Sequence, residues 1–255
     1  MFLNIAKAGF QAVDITSMEL EIFGEEYILS LLNKNVLKVS SYVFVAPFAE
    51  VDVKKAVNII ESGKNAVLQA KRVGTKVAMM VPIAQDDIAL YSKMQLAYSL
   101  ANNLNLISDY AKQHDIYVSI EDTPDLRLPI CSIGEITFLL DQSYGLSFVY
   151  DSCNMVLAHE DPVTYFDTFA ERCVHIHLKD IRPSLPNDLF KDLDINGEPM
   201  SCTSTGTGII DFKTLLLHIK ESGYDRYLSI EYCDDKNLSR INNLIENRKY
   251  FEMLL

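Results

Sequence analysis

The chain lacks the features that would send it to a membrane, an oxidising compartment or a polyanion. No apolar run is long enough to span a bilayer. The opening MFLNIAKAGFQAVDI has no basic n-region, no long apolar core and no small-residue cleavage site, so a secretory signal peptide is not expected. The five cysteines (Cys131, Cys153, Cys173, Cys202 and Cys233) are odd in number, scattered and without a CxxC pair, which predicts reduced thiols in a cytoplasmic protein. Positive charge is short: 23 Lys and Arg against 35 Asp and Glu leave a formal net charge of -12. Such a surface repels phosphate backbones and anionic lipid heads, so neither nucleic acid nor a membrane is expected as a partner. No Gly/Ser-rich linker or low-complexity tract divides the chain, and a single domain over 1–255 is expected.

What is present is a large apolar fraction, 49% of 255 residues, enough for one α/β barrel. Short runs rich in Val, Ile, Tyr and Phe recur at 12–15, 37–45, 76–82, 117–122, 146–151, 174–180 and 227–232, and read as strands buried on both faces. Helical patterns lie between them at 53–72, 88–113, 161–171, 211–222 and 236–253. Ser132 and Glu135 read as a capping box, Asp161-Pro162 as a helix start, and Gly223 as a helix stop. Strand and helix in alternation give right-handed parallel units, whose closed form at this length is a (β/α)8 TIM barrel. Only seven strands are found, because the chain opens on a helix that stops at Gly9. Either the sequence begins downstream of its natural start, the preferred reading, or the barrel is open and its gap is filled by a partner chain or by rearranged termini. The stretch from Ile181 to Gly208 is expected to be a long loop acting as a lid or a subunit contact, which makes a homo-oligomer conceivable. Its GTG run is a weak phosphate signal, since no GxxxxGK(S/T) loop accompanies it.

Four ligand-type side chains stand at the ends of late runs: Glu121 in YVSIED, Asp151 in LSFVYD, His177 in VHIHLKD and Glu231 in YLSIEY. Barrel sites sit at the C-terminal ends of the strands, so three carboxylates and one imidazole would converge on one mouth. Each alone reads as a solvated or capping residue; together they read as a site for one divalent cation, with Mn, Mg, Co or Zn all compatible. His175 shares a face with His177 one layer deeper and reads first as a core histidine with a hydrogen-bond partner. Lys179, of the same parity and higher, could reach a substrate oxygen or a leaving hydroxyl, and Asp180 could orient a ligand or cap a turn. His114, His159 and His218 are expected on the surface.

VHIHLKD, GTGIIDF and GYDRYLSIEY, with AGFQAVDI at the start, resemble the sugar phosphate isomerase/epimerase group of the xylose isomerase-like TIM barrels, the superfamily of the AP endonuclease family 2 domain. The resemblance implies that Glu121, Asp151, His177 and Glu231 hold the metal. It also implies that the two glutamates exchange the substrate proton. Asn154 stands where many members carry histidine and can still hydrogen-bond a hydroxyl. Arg182 loosely matches an arginine of ketose epimerases. Asn154, His175 and Arg182 are therefore the candidate substrate-binding residues, and Lys179 joins Glu121 and Glu231 as catalytic candidates. The expected activity is isomerisation or epimerisation of a small sugar or polyol through an enediolate. Loss of a β-hydroxyl after the same first step would give a dehydratase of the inosose or dehydroshikimate type. An AP-site endonuclease fits poorly, because it needs several histidines at strand ends and this chain has five in all. A non-catalytic sugar-binding barrel is the remaining alternative.

Overall fold

The apolar runs at 77–82, 146–151 and 173–178 become strands covered on both faces. The computed structural model describes residues 1–123, 125–188, 190–231 and 239–255. Strands β1 (Ala12–Thr16), β2 (Lys38–Ala46), β3 (Val77–Pro82), β4 (Tyr117–Glu121), β5 (Leu146–Asp151) and β6 (Cys173–Leu178) follow one another round a parallel sheet. The chain then makes an excursion through β7 (Asp180–Pro183), β8 (Asp192–Leu193) and β9 (Pro199–Thr203), and returns as β10 (Leu228–Ile230) beside β6. The parallel sheet has seven strands, ordered β1-β2-β3-β4-β5-β6-β10. It curls as an α/β TIM barrel does but stays unpaired between β1 and β10 among the described residues, matching the expected lack of one strand.

Helices α1 (Phe2–Lys7), α2 (Ser17–Phe23), α3 (Glu25–Lys34), α4 (Val53–Val73), α5 (Lys93–Lys112), α6 (Ile133–Asp141), α7 (Pro162–Phe169), α8 (Phe212–Glu221) and α9 (Arg240–Leu254) alternate with the strands. Their ends follow local chemistry. Asp52 accepts the backbone N–H groups of Lys54 and Lys55 at the start of α4. Ser92 and Gln95 form a reciprocal capping box that starts α5 at Lys93, so the helix expected from 88 is preceded by a separate short turn at Ile88–Leu90. The box expected at Ser132 is only half made: Ser132 accepts from the Glu135 N–H, but the Glu135 carboxylate turns to the Cys131 N–H and Lys93. Positions 236–238 of the expected last helix, together with Tyr232 and Cys233, lie outside the described residues. Among those described, no helix is long and apolar enough to cross a membrane.

The stretch expected to be a loop contains a three-stranded antiparallel sheet, ordered β7-β9-β8. Both of its feet stand on Asp180. That carboxylate accepts the N–H groups of Ile181 (2.9 Å), Gly206 (2.8 Å), Gly208 (2.8 Å) and Ile210 (3.3 Å). Gly208 has no substitute here, since a Cβ would lie 2.1 Å from Asp180 Oδ1 and 2.4 Å from the Ile181 carbonyl oxygen. The glycine run is therefore a carboxylate anchor, not a phosphate cradle. Cys131, Cys153 and Cys173 are buried free thiols, but Cys202 on β9 is disulfide-bonded, which corrects the expectation of reduced cysteines at that position.

Candidate metal centre

Strand register sets the mouth. A register shift between β5 and β6 after Phe148 aligns Val149 with His175 and Asp151 with His177, putting a carboxylate and an imidazole side by side. Glu121 aligns with Val149, two residues lower on β5, and barrel stagger brings its side chain to the same level. Ser229 on β10 aligns with His177, and the Glu231 N–H donates to the Leu178 carbonyl, so Glu231 stands just above. Ser152 ties the β5 and β6 tips together: its N–H donates to the His177 carbonyl, its hydroxyl to the Lys179 carbonyl, and it accepts the Lys179 N–H.

The predicted set converges. Single donor atoms of Glu121, Asp151 and His177 lie within 4.8 Å of one another. His177 Nδ1 is 2.5 Å from Glu121 Oε1 and 3.9 Å from Glu231 Oε2. Lys179 Nζ is 3.3 Å from Glu231 Oε1. Asp151 is fully buried; Oδ1 accepts the N–H groups of Cys153 (2.7 Å) and Asn154 (2.8 Å), while Oδ2 is buried with no hydrogen-bond partner. Burial pushes the Asp151 carboxyl up to about 7; Lys179 opposes this, and Glu231 and Glu121 reinforce it. Burial alone would depress the His177 imidazolium, but Glu121 and Asp14 hold it well above the usual range. Lys179 likewise outweighs its own burial through Asp151 and Glu231 and is raised. An orphaned carboxylate oxygen beside two more oxygen donors and one imidazole nitrogen is a donor set that fits one divalent cation.

The three residues expected to bind substrate are otherwise engaged. Asn154 is buried, and its side-chain amide donates to the Asp122 carbonyl at 3.1 Å, linking the β4 and β5 tips. Arg182 lies on β7 and makes a two-pronged pair with Asp188 at 2.7 and 3.0 Å. His175 is buried with Nε2 3.0 Å from Asp14 Oδ1, a close charge contact that lacks hydrogen-bond geometry. Asp14 itself was not anticipated. A carboxylate inside AVDI is the one available signal, and only folding brings β1 opposite β6. His159 pairs with Asp194 and His218 with Asp167 away from the mouth, and His114 packs on Tyr110. A cavity of about 790 Å³ opens at the other end of the strands, lined by Lys38, Val77, Val174 and Arg226 among others. It touches His175 but none of the four converging residues.

The model of the xylose isomerase-like TIM barrel family matches residues 2–253, and the chain belongs to that family. An inosose dehydratase of Lacticaseibacillus casei is 38% identical over 96 residues, 35% of this chain and 31% of that protein, so the match spans about a third of the curated relative's length. Two solved structures share the fold. The IOLI protein with a bound zinc atom superposes with a TM-score of 0.78 at 18% identity, over 98% of this chain and 90% of that one. A probable 3-DHS dehydratase, AsbF, from Bacillus anthracis gives 0.75 at 16% identity, over 98% and 92%.

Proposed function

We propose that this chain is a divalent-metal-dependent dehydratase acting on a polyhydroxylated cyclic ketone. The convergence of Glu121, Asp151, His177 and Glu231, with Lys179 beside Glu231, carries the reading. The names of the relatives favour elimination over the isomerisation or epimerisation expected first, although both begin with the same proton transfer.

Glu121, Asp151, His177 and Glu231 would hold the cation, which supplies Lewis-acid polarisation of the substrate carbonyl and its neighbouring hydroxyl. The chain's own groups manage the protons. The Glu231 side chain is half exposed at the mouth and takes the proton from the carbon next to the carbonyl. The electron pair of that C–H bond forms a C=C bond, and the β-carbon to oxygen bond breaks. Lys179, held as a cation, gives its proton to the departing hydroxyl, which leaves as water. The proton on Glu231 then returns across 3.3 Å to Lys179 and resets the pair. Asp151 is buried and Glu121 largely covered, which limits bulk water on that side of the site.

Two variants test the scheme. Glu231→Gln should lose most bound metal and both proton exchange and turnover. Lys179→Met should keep solvent deuterium uptake at the acidic carbon while product formation, read as enone absorbance, falls ~10²–10⁴-fold. Deuterium uptake with epimer formation and no enone in the wild type would return the protein to the epimerase reading. Unchanged metal content in Glu231→Gln would remove that residue from the centre.

A further inference from the structure

His177 has two carboxylate environments, one on each ring nitrogen. Nδ1 faces Glu121 and Glu231, the cation side. Nε2 faces Asp14 Oδ2 at 3.5 Å, across the lumen from β1. An imidazole that offers the Nδ1 lone pair to a cation must carry its proton on Nε2, and a buried N–H without an acceptor is destabilising. Asp14 is the acceptor that the described residues place there.

The local structure fixes Asp14 for that task. Between β1 and β2 the register slips from Val13 opposite Val39 to Ile15 opposite Tyr42, so Asp14 faces two residues, Ser40 and Ser41. Both hydroxyls donate to Asp14 Oδ1, at 2.8 and 2.7 Å, and His175 Nε2 adds a 3.0 Å contact to the same oxygen. Oδ2 is left for His177. The bulge thus aims one carboxylate oxygen and satisfies the other. Asp14, His175 and His177 also lie close enough to suggest a second cation cage. The two serine hydroxyls argue against it, because they already occupy Oδ1, whereas Asp151 Oδ2 on the other side has no partner.

We propose that Asp14 is a positioning residue that holds the Nε2–H of His177 and so presents Nδ1 to the cation, coupling the strand at the open edge of the sheet to the metal centre. The inference rests on the metal reading above. It is tested on the full chain, stripped of metal, labelled with ¹⁵N-histidine and titrated with zinc against a chromophoric chelator. Wild type should take one zinc per chain with His177 protonated on Nε2 by long-range ¹H–¹⁵N correlation. Asp14→Ala should bind the same single zinc ~10–100-fold more weakly and lose that tautomer. Asp14→Asn, which can still accept from Nε2–H, should recover part of both, and it carries the test if Asp14→Ala does not fold. Equal affinity and an unchanged tautomer in both variants would overturn the role of Asp14 while leaving the metal centre standing. Two zincs in wild type, one of them lost with Asp14→Ala, would replace positioning by a second metal site. No zinc in wild type would overturn the centre and this inference together.

Discussion

The closed wall of the barrel and its open seam are built to different standards. On the wall, every residue of β6 is buried, and so are all but one of β5. Phe148 of β5 packs against Tyr165 and Phe169 of α7, at ring distances of 5.9 and 5.1 Å. At the seam, β10 has no fully buried residue and β1 only Ile15. The candidate metal centre straddles this divide: Glu121, Asp151 and His177 come from the wall, while Glu231 follows β10 and Asp14 lies on β1. Glu121, Asp151 and His177 have largely covered side chains, whereas that of Glu231 is half exposed.

Core truncation gives the largest expected contrast. Phe148→Ala should cost about 3–5 kcal/mol in chemical denaturation, whereas Leu228→Ala on β10, half-buried and beside Ile176, should cost clearly less. Equal losses would mean that the seam is as well packed as the wall.

A second experiment looks for a flaw inside the wall. Asp122 is buried, both of its carboxylate oxygens lack partners, and burial, helped by Asp151 and Glu121, raises its carboxyl well above the usual range. A carboxyl with a raised folded pKa takes up a proton on folding, so stability falls as pH rises from the ordinary carboxylate range towards the folded value. The slope is about 1.4 kcal/mol per pH unit across that window. Asp122→Asn should flatten it, with the gain over wild type growing as pH rises above the ordinary carboxylate range. A parallel pH profile for wild type and variant would show that Asp122 does not titrate on folding.

The smallest effect is expected in the excursion. Arg182 and the Leu185 backbone N–H hold the Asp188 carboxyl well below the usual range. The sign is therefore opposite to that of Asp122: the contact is intact above the ordinary carboxylate pKa and is lost as pH falls through the depressed value. Asp188→Asn at neutral pH should speed proteolytic nicking between β7 and β9 and leave global unfolding nearly unchanged. A large drop in global stability would tie the excursion to the barrel core.

The alternation of strands and helices was readable because burial on both faces and capping residues such as Ser132 and Asp161 act locally; the Ser92 cap was missed, which is why the helix was expected to begin at 88. The convergence of Glu121, Asp151, His177 and Glu231 was readable because strand-end position is itself a barrel rule. The contacts of Asn154 and Arg182 were not: Asn154 bonds to the Asp122 carbonyl 32 residues away, and Arg182 pairs with Asp188 across a turn that no sequence period announces. Asp14 escaped for a related reason. One acid in AVDI carries no message until β1 faces β6 and a bulge sets Ser40 and Ser41 around it. The antiparallel strands of the excursion are two to five residues long, and two of them are bounded by proline, too brief for a period to emerge.

The grip of Asp180 on both feet of that excursion fixes its base, while its middle is laced to the barrel. The Ile195 N–H donates to the Leu157 carbonyl, Asp194 pairs with His159, and Cys202 is held by a disulfide whose other half lies outside residues 184–204. An exchange of this stretch between related barrels therefore has to carry those three ties with it.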